Sequence, residues 1–227
     1  MPATAQSVAF ASGSARLDGY LARPDGTGPF PGVVVIHELH GLNENIKDIA
    51  RRFADAGYVA LAVDLFAGRN RTICMFRFFA GMVLKSLDHG GIRDLKAALT
   101  FLTEQPGVAT ARLGAIGFCM GGSFAIGWAC TDDRLKAIAP YYAINPRPLA
   151  AVARACPVVG SYPTGDFTTE PGRKLDIALD TYNIPHDIKI YPGAKHSFFN
   201  DQGANYDAAA SQDSWQRVLA FFKEHIG

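Results

Sequence analysis

A cysteine flanked by glycines is the first feature of this sequence that could carry out covalent chemistry. Cys119 stands in Gly117-Phe118-Cys119-Met120-Gly121, between an apolar run and a stretch of small and apolar residues. This context is typical of a nucleophile elbow, a sharp strand-to-helix turn in which glycines are needed because the backbones pass too closely for a Cβ. A thiol at a helix N-terminus is also expected to have a lowered pKa, which favours the attacking thiolate.

Two later residues suit the roles of acid and base beside such a nucleophile. Asp166 follows the apolar run at 157–161, and His196 follows the run at 186–191. Both side chains are therefore expected at the carboxyl edge of a parallel sheet, where ligand crevices lie. The order nucleophile, acid, histidine is the one expected for a triad built on this kind of elbow. Taken singly, the three could be a core cysteine, a turn aspartate and a surface histidine, but together they predict a catalytic triad.

The segment His37-Glu38-Leu39-His40 raises the question of a metal site. Its spacing is one residue short of H-E-x-x-H and it ends a strand, so two ligands would not share a helix face, and we predict no metal. A buried Glu38 beside the elbow is instead predicted to control the proton of the thiol, although a hydrogen-bonded glutamate at a strand end would look the same. The backbone N–H groups of Leu39 and Met120 are predicted to form the oxyanion hole.

The elements that must position these residues alternate along the chain. Apolar runs that read as buried parallel strands occur at residues 31–37, 58–63, 113–118, 137–140, 157–161 and 186–191. Helical patterns occur at residues 44–56, 91–104, 123–129 and 211–225. This alternation predicts a doubly wound α/β fold, a mostly parallel sheet with helices on both faces. Residues 8–22 are predicted to form an antiparallel hairpin at the edge of the sheet. Residues 66–86 are predicted to form a loop and a helix over the site, and residues 162–172 are predicted to form a long loop.

Length and composition limit the possible classes of protein. The 227 residues are 48% hydrophobic, which suits one domain spanning 1–227 with a substantial core. The 22 basic and 21 acidic residues favour neither nucleic acid nor a membrane surface as a partner. No signal-like or membrane-spanning segment is apparent, so we expect a cytoplasmic protein. The four cysteines form no C-x-x-C pair, which argues against a disulfide framework or a zinc cluster.

Over roughly residues 15 to 225, the sequence resembles the dienelactone hydrolase family of α/β-hydrolases. The resemblance rests on the cysteine elbow around Cys119, on Glu38 after the first central strand, on Asp166, and on His196 with the Ser-Phe that follows it. It implies hydrolysis of an ester or lactone through a thioester on Cys119, with Asp166 orienting His196 and Glu38 gating thiolate formation. It also implies a small-molecule substrate and no metal or cofactor. We expect a monomer or a small homo-oligomer.

Substrate binding is where the sequence departs from the family pattern. In the best-known members two arginines bind the carboxylate of the substrate. Arg69 is the candidate for the first, although it could belong to a solvated basic face with Arg71 and Arg77. The second position holds Asn200, which puts true dienelactone specificity in question. Tyr142 could line the acyl pocket or make an ordinary aromatic core contact.

Two other functions remain open at this point. Glutamine amidotransferases also place a cysteine in a Gly-x-Cys-x-Gly elbow, but they usually keep the acid within two residues of the histidine, where this chain has Ser197 and Phe198. A hydrolase-like domain without catalysis could bind a ligand, or sense oxidants through a low-pKa Cys119. Release of ammonia from glutamine would identify the first function, and the absence of any turnover would favour the second.

Overall fold

The computed structural model describes residues 4–66 and 86–227 and contains an eight-stranded sheet. Its strands in chain order are β1 (Thr4–Ser12), β2 (Ala15–Arg23), β3 (Phe30–Ile36), β4 (Val59–Asp64), β5 (Val108–Phe118), β6 (Leu135–Tyr141), β7 (Val158–Pro163) and β8 (His186–Tyr191). They lie in the order β1-β2-β4-β3-β5-β6-β7-β8. Strands β1 and β2 pair antiparallel, as do β2 and β4, and every other pair is parallel.

Helices cover both faces of the sheet because alternate side chains of its central strands point to opposite sides. The helices are α1 (Glu44–Asp55), α2 (Gly90–Thr103), α3 (Met120–Ala129), a 3-10 helix (Leu149–Arg154), α4 (Thr169–Thr181) and α5 (Ala208–Ile226). Val33 and Val35 of β3 belong to the core cluster that includes residues of α1 and α5, whereas Val34 and Ile36 belong to the cluster on the other face of the sheet. No helix in the two described ranges is both long and apolar enough to span a membrane.

The predicted fold class is confirmed, since a mostly parallel sheet carries helices on both faces and an antiparallel hairpin at one edge. The prediction of a long loop at 162–172 is wrong, because β7 continues to Pro163 and α4 begins at Thr169. Pro171 and Gly172 suggested a turn, but proline is well tolerated in the first turn of a helix. The segment 66–86, predicted as a loop and helix, lies almost wholly outside the described residues.

Candidate active site

Five neighbouring parallel strands present polar side chains just beyond their carboxyl ends. Glu38 follows β3, Cys119 follows β5, Tyr142 follows β6, Asp166 follows β7 and His196 follows β8. Because these ends meet at one rim of the sheet, residues far apart in sequence come together there. The sheet topology therefore brings together all three residues of the predicted triad, and it adds Glu38 and Tyr142 to them.

A cavity of about 330 Å³ opens at this rim, within the range of small-molecule sites. Its walls are mostly apolar, with a few polar groups among them. The lining residues are Glu38, Leu39, His40, Cys119, Met120, Ser123, Tyr142, Ile144, Phe167, His196 and Ser197. Asp166 lies behind His196, with its side chain only 6% exposed.

The backbone at Cys119 has the geometry of a nucleophile elbow. Cys119 has φ 54° and ψ −113°, and α3 begins at the next residue. The expected close approach of the backbones at these glycines is confirmed. A Cβ on Gly117 would collide with the carbonyl of Gly121 and lie 2.8 Å from the amide nitrogen of Gly122. A Cβ on Gly121 would lie 2.5 Å from the carbonyl oxygen of Ile36. The strand and helix can meet this closely only without side chains at these positions.

Replacing Gly117 by alanine is expected to destabilise the fold by about 3 kcal/mol or more, because the added methyl group meets backbone that cannot move aside. Gly90→Ala is the matched control, since a Cβ at Gly90 meets nothing within 4 Å. Chemical denaturation of both variants would measure the difference. A Gly117→Ala protein as stable as wild type would show that the elbow is not crowded.

Strained backbone is concentrated at the cavity. Four non-glycine residues in the described part of the chain have positive φ: Cys119, Tyr142, Asn183 and Ser197. All but Asn183 line the cavity. Such conformations each cost about 1–3 kcal/mol and persist where the surrounding structure enforces them, often at functional sites. The distribution of strain therefore points to the same rim as the side-chain chemistry.

The imidazole of His196 is held by the carboxylate of Asp166. His196 Nδ1 lies 2.7 Å from Asp166 Oδ2, so Nδ1 donates to the carboxylate, and in the neutral ring Nε2 is then the proton acceptor. The other Asp166 oxygen accepts from the backbone N–H of Thr168 at 2.7 Å. Within the described ranges the ring makes no hydrogen bond to the Cys119 sulfur, although both face the cavity. Asp166 thus orients the histidine, although the described residues show no hydrogen bond between this histidine and the thiol.

Glu38 is buried, and it accepts a hydrogen bond from the side chain of Tyr142. The tyrosine hydroxyl lies 2.8 Å from Glu38 Oε1. Burial, and then the charge of Glu38, raise the pKa of Tyr142 well above its usual value, so the phenol remains a neutral donor. The Tyr142 ring also lies 4.9 Å from the His196 ring. This tyrosine therefore contacts both groups expected to handle the proton of the thiol.

The surroundings of the Cys119 thiol oppose its ionisation. Burial, followed by the negative charge of Glu38, raises the pKa of Cys119 to about 12, although a hydrogen bond from the backbone N–H of Met120 acts in the opposite direction. The predicted lowering of this pKa by the helix N-terminus is therefore wrong. Desolvation and a neighbouring carboxylate outweigh the partial positive charge at the start of α3.

His37, which raised the question of a metal site, has both ring nitrogens engaged in hydrogen bonds. Its Nδ1 lies 2.5 Å from the carbonyl oxygen of Glu38, and its Nε2 accepts from the backbone N–H of Leu65 at 3.0 Å. The ring is completely buried. His37 thereby fixes the backbone that carries Glu38 and leads into Leu39.

Of the predicted substrate-binding residues, one lines the cavity, one does not, and one lies outside the described residues. Tyr142 lines the cavity. Asn200 is not among the lining residues in the described part of the chain, and its side-chain oxygen accepts from the backbone N–H of Gln202 at 3.1 Å. Arg69 lies outside the described residues, as do Arg71 and Arg77.

Five residues that line the cavity were not predicted as site residues, namely His40, Ser123, Ile144, Phe167 and Ser197. Ser123 is one helical turn after Cys119: its hydroxyl donates to the Cys119 carbonyl at 3.1 Å and accepts from the Ile144 amide at 2.9 Å. Its spacing from the nucleophile was a usable signal, and so was the position of Phe167 directly after Asp166. No sequence signal marked Ile144, because its position at the cavity depends on the path of the chain after β6.

Comparisons with known proteins agree on the kind of molecule that this chain resembles. A family model described as the dienelactone hydrolase family matches residues 17–226. A protein of Saccharolobus solfataricus named as a carboxymethylenebutenolidase is 31% identical, over 96% of this chain and 98% of its own length. One of the same name from Escherichia coli K12 is 32% identical, over 93% of this chain and 83% of its own.

Solved structures show the same likeness. A crystal structure of a protein from Klebsiella pneumoniae described as a dienelactone hydrolase superposes with a TM-score of 0.86 at 29% identity, covering 99% of this chain and 100% of the other. A dienelactone hydrolase-like promiscuous phosphotriesterase from metagenomic libraries superposes with a TM-score of 0.87 at 27% identity, covering both chains completely.

Proposed function

The chain belongs to the dienelactone hydrolase family, and from that premise we propose that it hydrolyses a carboxylic ester or a lactone through a thioester on Cys119. The observation that carries the proposal is the convergence of Cys119, the Asp166–His196 pair and Glu38 on one cavity. The substrate is a small molecule, as the size of that cavity suggests. Cys119, His196 and Asp166 act as the triad in this proposal.

In the first half of the reaction, the thiol gives its proton to His196 Nε2 and the sulfur attacks the carbonyl carbon of the substrate. The positive charge that develops on the imidazole is stabilised by Asp166, which already holds Nδ1 at 2.7 Å. The tetrahedral intermediate then expels the alcohol, which takes the proton from His196. The acyl group remains on the sulfur as a thioester.

The oxyanion of the tetrahedral intermediate is bound by the backbone N–H groups of Leu39 and Met120 in this proposal. Both residues line the cavity, and Met120 begins α3, where the helix N-terminus favours negative charge. The backbone N–H of Met120 acts to lower the pKa of Cys119, as a donor close to the sulfur would. The bond from His37 to the Glu38 carbonyl holds the backbone that precedes Leu39.

In the second half, a water molecule replaces the alcohol. His196 Nε2 removes a proton from the water, the hydroxide attacks the thioester, and the carboxylic acid leaves as the proton returns to the sulfur. No step of this sequence needs a metal or a cofactor. The same base therefore serves both halves, which requires that Asp166 keep the ring in one orientation throughout.

Glu38 has the role of keeping the thiol protonated until a substrate is bound. Because burial and the charge of Glu38 raise the pKa of Cys119 to about 12, the thiol is almost entirely protonated at pH 7. A protonated thiol resists oxidation and alkylation. The hydrogen bond from Tyr142 holds the carboxylate in position for this task.

Removing the charge of Glu38 is expected to make the thiol more reactive. In Glu38→Gln the amide oxygen can still accept from Tyr142, but the negative charge that raises the thiol pKa is gone. The pH profile of Cys119 alkylation by iodoacetamide should then shift toward lower pH, with a rate at pH 7 about tenfold above wild type for each unit of the shift. Peptide mass spectrometry would identify Cys119 as the labelled residue.

Glu44→Gln is the control for this experiment, since Glu44 is an exposed carboxylate on α1. Thermal unfolding followed by circular dichroism should differ little between the two variants and wild type. Alkylation kinetics of Glu38→Gln that match those of wild type at every pH would refute the role assigned to Glu38.

The proposed function is tested first by turnover of 4-nitrophenyl acetate and a panel of simple lactones. Wild type should release nitrophenol in a burst of about one equivalent per protein, because acylation of Cys119 precedes the slower hydrolysis of the thioester. Glutamine should release no ammonia. Binding of these compounds without turnover would favour the alternative of a non-catalytic or redox-sensing domain, and ammonia release would favour an amidotransferase.

A further inference from the structure

An aromatic side chain stands exposed at the mouth of the cavity. Phe167 is 69% exposed, the highest value among the large hydrophobic residues in the described ranges. Its ring stacks on the His196 imidazole with centroids 4.9 Å apart and an interplanar angle of 24°. Scattered exposed hydrophobic residues are common in proteins, but this one lies against the base of the proposed reaction. The position of Phe167 beside His196 is therefore informative, whereas its exposure alone would not be.

The backbone around Phe167 is held in place on both sides. The Asp166 amide donates to the Thr169 hydroxyl at 3.1 Å, and that hydroxyl donates to the Pro163 carbonyl at 2.7 Å. The Thr168 amide donates to the Asp166 carboxylate at 2.7 Å. The ring is consequently presented to solvent by an ordered turn, the same turn that orients the carboxylate of Asp166.

The surface that Phe167 extends is apolar. Leu39, Met120 and Ile144 form the other apolar walls of the cavity, and the buried Tyr142 closes its inner side. A ligand that covers these walls together with the outer face of Phe167 removes apolar area from water. This burial favours binding by about 25 cal/mol per Å². An aromatic ring gains more by stacking on Phe167, about 0.5–1.5 kcal/mol beyond the area term.

The chemistry decides which part of the substrate meets this ring. In the proposed mechanism His196 protonates the departing alcohol, so the alcohol part of the ester must lie against the imidazole. Because Phe167 covers one face of that imidazole, the alcohol part is the portion of the substrate that can contact Phe167. The acyl part, bonded to the sulfur, lies instead toward Cys119 and the oxyanion donors.

We infer that Phe167 determines specificity for the leaving group, selecting esters whose alcohol carries an aromatic ring. The inference rests on the proposed function and deepens it, because it names the substrate class that the described walls favour. Phe167 contacts the substrate directly in this role. Its ring forms an aromatic stack of imidazole, phenyl group and substrate ring at the cavity mouth.

Two pairs of esters test the inference. Benzyl acetate and ethyl acetate differ only in the alcohol, whereas ethyl phenylacetate and ethyl acetate differ only in the acyl group. The ratio of kcat/KM for benzyl acetate over ethyl acetate should fall about tenfold in Phe167→Ala and stay near the wild-type value in Phe167→Tyr, which keeps the ring. The ratio for ethyl phenylacetate over ethyl acetate should not change.

Other outcomes overturn the inference in distinguishable ways. Equal losses on all three esters in Phe167→Ala, with an altered pH profile of kcat/KM, would mean that the ring only positions His196. Unchanged ratios in every variant would mean that the substrate never meets Phe167, although Cys119-dependent turnover by wild type would leave the proposed function intact. No turnover of any ester by wild type would overturn the proposed function, and the inference with it.

Discussion

Cys119→Ala is expected to lower kcat for 4-nitrophenyl acetate by about 10⁵–10⁶, since removal of a triad nucleophile costs about that much in comparable hydrolases. The variant keeps the cavity and the oxyanion donors but has no atom that can accept the acyl group. It should also lose the nitrophenol burst. Because alanine is smaller than cysteine and the elbow geometry depends on the glycines, the fold should be retained, which circular dichroism would verify.

Cys156→Ala is the control for the loss of a thiol, because Cys156 is a free cysteine that does not line the cavity. It should keep both the burst and the steady-state rate. Cys119→Ser should also lose the burst, since a hydroxyl is a much weaker acid than a thiol and the resting site already opposes ionisation. Equal rates in wild type, Cys119→Ala and Cys119→Ser would rule out the cysteine mechanism.

Asp166→Asn is expected to lower kcat by about 10³–10⁴, the size of the loss when the aspartate of a serine triad is changed in the same way. The amide keeps the shape of the side chain, and its oxygen can still accept from the Thr168 amide. Its NH₂ group, however, donates toward His196 Nδ1, which favours the tautomer with hydrogen on Nε2. That tautomer cannot take the proton from Cys119.

Asp213→Asn is the matched control, because Asp213 binds Lys189 and Tyr191 away from the cavity. Its steady-state rate should stay within about twofold of wild type, as expected for a surface change outside the site. If Asp166→Asn hydrolysed 4-nitrophenyl acetate as fast as this control, Asp166 would have no part in orienting the base.

Much of the fold was predictable because it depends on local patterns. Apolar runs followed by turn residues indicated the parallel strands, and period-3.6 patterns indicated the helices beside them. One helix that these patterns did not indicate is α4, whose apolar positions Leu175 and Leu179 are interrupted by the exposed Ile177 and preceded by Pro171. Turn-forming residues concealed a helix there because a proline in its first turn fits a helix as well as it fits a loop.

The candidate site was predictable in its members but not in its electrostatics. Strand order alone brings Cys119, Asp166 and His196 to one rim, so their positions in the sequence were sufficient to group them. The pKa of the thiol depends instead on how deeply Cys119 is buried and on how close Glu38 lies, which no local pattern encodes. The Tyr142–Glu38 hydrogen bond joins residues 104 positions apart and arises from the same packing.

The most direct test of the account is intact-protein mass spectrometry during the burst with 4-nitrophenyl acetate, followed by peptide mapping. We predict one acetyl group per chain, located on the peptide containing Cys119 and lost at the steady-state rate of hydrolysis. Turnover with no covalent adduct, or with the acetyl group on a residue other than Cys119, would contradict the account.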